Sequence, residues 1–294
     1  MHIRPYHPTD LSSIGDVLNA ANLRDTLVHY FNRNIDKYPF TFRKGGVQFL
    51  RGLVLGHGTY AFVMETDTWD QPTKPSSNPP TPLAPFVAGF VIYTRRGTSP
   101  TALSWQQSNS TLSAALDRKI INIERKYRTY LPSIDPVFNS PKFNSIFHIL
   151  EEPWPSPVLD ESWEINALFV HPDYQRQGLA SRLLAWGKER CTEEKIPLLV
   201  AGSPVGGLAY KHAGFRSIGV SGFGEYFDEL AEGGMKMQRW VWEPETLEKN
   251  VVEEARKVAK QYKKKWMKEK LGKELSEDEV EEKAKELVDV GVKE

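Results

Sequence analysis

Residues 168–181 have the composition of an anion-binding loop between a strand and a helix. Their sequence, LFVHPDYQRQGLAS, passes from apolar residues through a polar loop to Gly178, where a helix is predicted to begin. The first N–H groups of a helix lack partners within it, and with the helix dipole they attract phosphate. Gly178 allows close approach of a ligand, Arg176 adds positive charge, and small side chains at Ala180 and Ser181 keep the groove open. The loop therefore predicts a phosphate site, and a glycine that only shapes the turn is the alternative.

Composition and missing motifs disfavour several other functions. The sequence contains neither GxxxxGK followed by Ser or Thr nor GxGxxG, which lowers the case for nucleotide hydrolysis and hydride transfer. It has 38 basic and 38 acidic residues, so no overall field favours nucleic acid or a membrane surface. The single cysteine, Cys191, cannot form an internal disulfide. We expect no metal, nucleic-acid or membrane partner.

Two motifs in one order identify a family resemblance. Gln175, Gly178 and Ala180 resemble the acetyl-CoA pyrophosphate motif of the GCN5-related N-acetyltransferase (GNAT) superfamily. In that motif, Arg or Gln is followed three residues later by Gly and two residues after that by Gly or Ala. Farther along the chain, residues 208–215, LAYKHAGF, resemble the family's second signature, LYxxxGF. Ala209 separates leucine from tyrosine here, and Ser203 stands where many members carry asparagine.

The resemblance is good over Trp163–Trp242, and the opening Ile3–Leu11 is similar to the family's usual first strand and helix. The middle of the chain, from about Asp67 to Pro157, departs from a compact GNAT domain. This departure leaves the substrate class open.

The resemblance implies acetyl-CoA as the acyl donor and a set of residues that would hold it. The backbone of Leu168, Phe169 and Val170 would pair with the pantetheine arm. Ser203 would take the position of the family's asparagine. The pyrophosphate would be bound by N–H groups of the loop and first helical turn: Gln175, Arg176, Gln177, Gly178, Leu179, Ala180 and Ser181.

Acetyl transfer to an amine requires two proton transfers. The protonated amine must lose a proton before it attacks, and the departing thiolate gains from receiving one. By resemblance Tyr210 is the acid and Glu164, on the motif strand, is the base. Strand alternation places Glu164, Asn166, Leu168 and Val170 on one face. A buried packing role for Tyr210 and a structural role for Glu164 are the alternatives.

The acceptor amine is less well determined by the sequence. Aromatic residues that would line the acceptor cleft by resemblance are Tyr30, Phe31, Tyr38, Phe40, Tyr226, Phe227 and Trp240. Such a lining would suit a hydrophobic or arylalkyl amine, although each residue could instead belong to the core.

We therefore expect transfer of an acetyl group to a primary amine of a small molecule, by direct attack in a ternary complex. A protein or peptide N-acetyltransferase, acting on lysine or an N-terminal amine, is the first alternative. A non-catalytic acyl-CoA-binding regulatory domain is the second. All three alternatives use the same cofactor. The first two differ in the acceptor, and the third has none.

Hydrophobic periodicity predicts an α/β fold. By resemblance it is a mixed, largely antiparallel central sheet flanked by helices. Predicted strands are His2–Tyr6, Tyr60–Thr66, Pro85–Thr94, Trp163–Val170, Pro197–Gly202, Phe215–Val220 and Gly234–Trp242. One predicted helix begins near Leu11. The other predicted helices cover Leu23–Asn32, Thr101–Leu131, Gly178–Glu194 and Val205–Ala213.

The expected domain covers residues 1–243, with insertions at about 67–84 and 101–157, and a charged helical tail follows at 244–294. We expect this tail to lie outside the core, with a second helix that starts at Ser276. The basic run Lys263–Lys265 is interpreted as a solvated face, and a nuclear-import signal or a phosphate-binding patch is the alternative. No apolar run reaches the about 20 residues that cross a bilayer. A cytoplasmic or nucleocytoplasmic protein is expected, with a homodimer or a tail-mediated protein partner left open.

Overall fold

The structure is a computed structural model that describes residues 1–23, 25–68, 70, 85–107, 109, 111–130, 135–138, 154–221, 237–247, 250–259 and 261. The chain divides into two compact units. The first comprises Met1–Arg95, Ser99–Phe147 and Ile165–Trp186, and the second comprises Arg96–Thr98, His148–Glu164 and Gly187–Glu294.

The first unit is built on strands in the order β1, β2, β3 and β4. These are β1 (His2–Pro5), β2 (Thr59–Glu65), β3 (Val87–Arg96) and β4 (Ser162–Val170), and both β3 and β4 continue into the second unit. Pairing of β1 with β2 and of β2 with β3 is antiparallel. β4 runs opposite to β3, because Asn166 bonds to Thr94 whereas His171 N bonds to Ala88 O. The predicted antiparallel character is thus present here.

Helices cover the sheet of the first unit. They are α1 (Leu11–Asn22), α2 (Thr26–Phe31), α3 (Pro39–Val54), α4 (Pro100–Gln106), α5 (Leu112–Tyr130) and the first half of α6 (Leu179–Glu194). Ile14, Val17 and Leu18 repeat at helical spacing and face the sheet. They join a core cluster that contains Leu50, Val63, Val87, Phe90, Ile92 and Ala167.

Helix α3 was not predicted, because the consecutive Gly45 and Gly46 lower helix propensity. In the structure the glycines of this region serve close packing. A Cβ atom at Gly46 would stand 2.8 Å from Asn19 Oδ1, and one at Gly15 would stand 2.4 Å from Val47 Cγ2. Tertiary packing between α1 and α3 therefore outweighs the propensity of the isolated segment.

The single helix predicted over Thr101–Leu131 is wrong. Two helices, α4 and α5, replace it, and Asn109 lies between them with a φ of 59°. Its Nδ2 donates to the carbonyls of Val54 and Gly56, each at 3.0 Å. The side chain thus satisfies carbonyls at and just after the end of α3, while its backbone adopts the left-handed conformation that asparagine tolerates.

The second unit contains strands in the order β5, β7 and β6. These are β5 (Leu198–Gly202), β6 (Arg216–Ser221) and β7 (Met237–Trp242), and both pairings are antiparallel, with Trp240 opposite Val200 and Ser217. Helix α7 (Pro204–His212) follows β5. A last described helix, α8, covers residues 251–259.

The expectation that residues after Pro244 lie outside a core is wrong for α8. Val251, Val252 and Ala255 are buried in a cluster with Trp154, Leu159, Leu199, Ile218 and Val241. The spacing of these three small apolar residues puts them on one helix face. Charged neighbours such as Glu253 and Glu254 dominate the composition of the segment, so composition alone did not indicate this face. Lys263–Lys265 and Ser276 lie outside the described residues, and the domain limit at residue 243 stays a prediction.

The predicted fold class, a mixed and largely antiparallel α/β fold with flanking helices, is confirmed by these elements. Within the described part of the chain, no helix combines the length and apolarity needed to cross a membrane.

A buried ion pair fixes the start of the chain against α1. Arg4 donates to both carboxylate oxygens of Asp10, at 2.7 and 2.9 Å, and His7 N donates to the same carboxylate at 2.8 Å. Only 10% of the Asp10 side chain is exposed. The bonded Arg4 guanidinium lowers the pKa of Asp10 below its ordinary value of 3.8.

Asp10→Asn should lower the free energy of unfolding at neutral pH by about 2 kcal/mol, because charge-assisted bonds are lost from a buried site. Since the folded pKa is the lower one, this stabilisation is present above 3.8 and disappears as the pH falls through the folded value. Denaturant titrations of both proteins between neutral and acidic pH check this. Asp16→Asn is the control. Asp16 pairs with Arg43, but 52% of the Asp16 side chain is exposed, so loss of this pair should lower the free energy of unfolding by less than about 0.5 kcal/mol. An equal loss at neutral and acidic pH would contradict the electrostatic explanation.

Candidate active site

The loop after β4 is held by local bonds. His171 Nδ1 accepts from Asp173 N at 3.3 Å and caps a single 3-10 turn, Pro172–Tyr174. Gln175 Nε2 donates to Val170 O at 3.1 Å, which ties the loop back to the strand end. Burial lowers the pKa of His171, so its ring is neutral near pH 7 and able to accept this bond.

Two left-handed residues open the loop before α6. Arg176 has a φ of 65° and Gly178 a φ of 76°. The first bond of the helix runs from Arg182 N to Gly178 O at 3.1 Å, so the N–H groups of Leu179, Ala180 and Ser181 precede the helical ladder. Apart from Gly178 and its two chain neighbours, no described residue has an atom within 4 Å of the position that a Cβ of Gly178 would occupy. Open space beside helix-start N–H groups fits a bound phosphate.

The exposure of these residues agrees with an open site. Gln175, Arg176, Gln177, Gly178 and Ser181 are exposed, and Ala180 is half-buried. Leu179 is buried and anchors the first turn of α6 in the core. The apolar anchor and the exposed backbone therefore lie on different sides of the same turn.

Strand β4 alternates regularly up to Ala167. Trp163, Ile165 and Ala167 are buried, whereas Glu164 is half-buried and Asn166 is exposed. Beyond that point Leu168 and Phe169 are both half-buried and Val170 is buried, so the alternation ends before the strand does. Ala167 lies in the core cluster of the first unit and Phe169 packs against it, as expected for residues that share the opposite face. The common face predicted for Glu164, Asn166, Leu168 and Val170 stays a prediction, and burial along these positions increases from Asn166 to Val170.

Tyr210 lies on α7 with its ring buried. Its exposed fraction is 6%, and its ring meets Phe215 edge to face at a centroid distance of 5.5 Å. A Cβ at Gly202 would stand only 2.7 Å from Tyr210 Cε2, so the glycine leaves room for the ring. Burial raises the pKa of Tyr210 above the ordinary phenol value of 10.0.

The carboxyl end of α7 gives a physical reason for the order of residues in the second motif. Gly214, with a φ of 82°, donates to Lys211 O, and Phe215 N donates to Tyr210 O, each at 3.0 Å. These bonds satisfy carbonyls at the helix end in the manner of a glycine cap. The glycine thus reverses the chain and returns Phe215 to the tyrosine ring.

Lys188 provides a second restraint at the same helix end. Its ammonium donates to Ala213 O and lies 5.6 Å from the ring centroid of Phe215 and 5.2 Å from that of Trp242. Burial lowers the pKa of Lys188. A cation near the last carbonyls of a helix stabilises its dipole, and aromatic faces stabilise the cation.

Ser203 caps the other end of α7. Its Oγ accepts from Gly206 N at 3.5 Å, and Pro204 occupies the first helical position. The serine therefore has a structural role in setting the start of the helix that carries Tyr210. Contact with the cofactor stays a prediction.

Glu164 has a defined partner at each carboxylate oxygen. Arg96 Nη1 donates to Oε2 at 2.7 Å, and Trp154 Nε1 donates to Oε1 at 3.0 Å. The carboxylate side chain is 20% exposed, so it is partly accessible to solvent. Each oxygen keeps a second acceptor position, which leaves Glu164 able to receive a proton or a water.

The aromatic residues predicted for the acceptor cleft fall into different environments. Phe31 and Trp240 are buried and Tyr38 is half-buried, whereas 86% of Phe40 is exposed. Phe40 lines a shallow groove of about 610 Å³ together with Leu11, Thr41, Arg43, Lys44, Val47, Gln48 and Arg51. Tyr30 lies on α2, and Tyr226 and Phe227 lie outside the described residues.

Sequence reasoning missed Arg96, Trp154 and Lys188. The residue types of Arg96 and Lys188 give no signal by themselves, because basic residues are common on surfaces. Trp154 stands among prolines in a segment with no periodic pattern, so nothing local predicted its bond to Glu164. All three were recoverable only from contacts formed on folding.

Comparison with known proteins agrees with the two motifs. A family model described as an acetyltransferase (GNAT) domain matches residues 158–229. An acetyltransferase from Stachybotrys chartarum is 34% identical over 77 residues, which is 26% of this chain and 32% of that protein. The matched part of the chain thus spans about a third of the length of this relative.

Solved structures show weaker overall likeness. A histone acetyltransferase HPA2 and related acetyltransferase from Corynebacterium glutamicum has a TM-score of 0.45 and 12% identity, over 81% of this chain and 93% of that one. A mosquito arylalkylamine N-acetyltransferase like 5b has a TM-score of 0.40 and 13% identity, over 83% of this chain and 99% of that one. Neither likeness assigns a substrate to this chain. Over residues 158–229, the sequence thus matches an acetyltransferase domain of the GNAT family.

Proposed function

We propose that this protein transfers an acetyl group from acetyl-CoA to a primary amine of a small molecule. The observation that carries the proposal is the loop before α6, where helix-start N–H groups border open space at Gly178. Pyrophosphate is the anion that this arrangement would hold, with Arg176 beside it as a source of charge. The backbone of Leu168, Phe169 and Val170 is assigned to the pantetheine arm by resemblance.

Proton handling is assigned to two residues of the second unit. When bound, acetyl-CoA supplies the acetyl group as an activated thioester. Tyr210 serves as the acid by resemblance, and its phenol holds a proton at neutral pH as an ordinary phenol does. Glu164 serves as the base that takes a proton from the amine, directly or through water, at the remaining acceptor positions of its oxygens.

The acceptor class rests on apolar and aromatic side chains near the second and third helices. Phe40 is exposed and Tyr38 half-buried, which offers surface for a hydrophobic or arylalkyl amine. A peptide acceptor would instead need a surface for the flanking residues. Partner binding by the tail stays a prediction, because residues 262–294 lie outside the described residues.

The first test is calorimetric titration with acetyl-CoA and, separately, with CoA. Saturable binding of both supports the cofactor site, and thiol release is then measured with arylalkyl amines, polyamines and lysine peptides at equal concentration. Turnover confined to peptides would replace the small-molecule proposal with a protein acetyltransferase. Binding without thiol release from any amine would leave a non-catalytic acyl-CoA-binding domain.

Gly178→Glu should abolish binding of acetyl-CoA, because a carboxylate would occupy the space beside the helix-start N–H groups. Calorimetry of the variant and the original protein measures this. Gly219→Glu is the matched control, since Gly219 also has a positive φ of 140° and open space at the Cβ position among the described residues. Normal binding by Gly178→Glu would place the phosphate site elsewhere.

Tyr210→Phe should lower kcat roughly 100-fold or more while leaving CoA affinity nearly unchanged, because only a proton donor is removed. Steady-state thiol release and calorimetry separate the two effects. Tyr60→Phe is the control, since it removes a phenol that donates to Trp105 O at 3.2 Å within an aromatic cluster. A Tyr210→Phe protein with unchanged kcat would remove the acid assignment.

A further inference from the structure

We propose that Trp154 is a positioning residue for the carboxylate of Glu164 and that Arg96 completes the restraint. Trp154 comes from the segment 101–157, which departs from a compact GNAT domain in sequence. The inference rests on the proposed function, because it concerns the residue assigned there as the base.

The two donors hold different oxygens of one carboxylate. Trp154 Nε1 reaches Oε1 at 3.0 Å, and Arg96 Nη1 reaches Oε2 at 2.7 Å. A single donor would leave the carboxylate free to rotate about its last torsion, which is broad for glutamate. Two donors on separate oxygens define the plane of the group. The remaining acceptor positions of both oxygens then have fixed directions.

Trp154 is itself fixed by packing. Its exposed fraction is 7%, and it belongs to the core cluster that contains Leu159, Val241 and Val252. The guanidinium of Arg239, from β7, lies 4.8 Å from the centroid of its ring. The direction of the indole N–H is thus set by buried neighbours, so this donor is less free to move than a surface side chain.

The same strand offers a matched control for the indole bond. Trp163 Nε1 donates to Glu194 Oε1 at 2.9 Å, and Trp163 is fully buried. Trp163→Phe therefore removes an indole-to-carboxylate bond from a buried tryptophan at a carboxylate with no assigned role. Its effect measures the structural consequence of such a substitution alone.

The experiment compares Trp154→Phe, Trp163→Phe, Glu164→Gln and the double variant Trp154→Phe/Glu164→Gln as full-length chains. Trp154→Phe should lower kcat about three- to tenfold without changing KM for acetyl-CoA, because one of the two donors that orient the base is lost and the other remains. Trp163→Phe should lower Tm and leave kcat within about twofold.

Coupling between the two residues separates positioning from a general structural effect. In the Glu164→Gln background, Trp154→Phe should cause no further loss of kcat, because it acts through the carboxylate. Equal losses of kcat in both backgrounds would overturn the inference. Should Trp154→Phe fold poorly by circular dichroism, Arg96→Gln gives the same test at a side chain that is 41% exposed.

The outcomes also distinguish this inference from the proposed function. Absence of acetyl-CoA binding or thiol release by the unsubstituted protein would overturn the proposed function. Unchanged kcat in Glu164→Gln would overturn the base assignment and the inference with it. A loss in Glu164→Gln together with unchanged kcat in Trp154→Phe and Arg96→Gln would overturn the inference alone.

Discussion

Strand β4 is the constraint on which the candidate site depends, because its side chains must serve packing and chemistry at once. Trp163, Ile165 and Ala167 are buried, and the alternate positions Glu164 and Asn166 keep contact with solvent. A slip of one residue would exchange these sets and bury the carboxylate without partners. The register of β4 therefore determines both which side chains enter the core and how Glu164 is oriented.

The ends of α6 and α7 differ in how their backbone groups are satisfied. Helix α7 is satisfied at both ends, by Ser203 at its start and by Gly214 and Lys188 at its end. Such a helix is a rigid support, and it carries a buried tyrosine. The start of α6 is different, since its first N–H groups border open space at Gly178. The contrast follows from one rule: a helix end that the chain does not satisfy is available to an anion.

Much of the site region could be predicted because its signals are local. β4, β5, α6 and α7 begin and end within about two residues of the predicted limits, the usual tolerance for helix ends. Their boundaries are set by neighbours in sequence, such as Ser203 before Pro204 and Gly214 after α7. The motif that identified the family is made of the same local features. Strand alternation also predicted that Glu164 and Asn166 share a face.

What could not be predicted depends on contacts between distant parts of the chain. Helix α3 forms because Gly46 allows α1 to approach, and α8 belongs to the core because apolar partners from four other segments surround it. The restraint on Glu164 joins Arg96, 68 positions earlier, to Trp154, in a segment without periodicity. Cofactor binding uses backbone groups, so a short motif is enough to predict it. Proton transfer to an acceptor uses side chains placed by long-range packing, and for this reason the family motifs predict the donor of the acetyl group better than its acceptor.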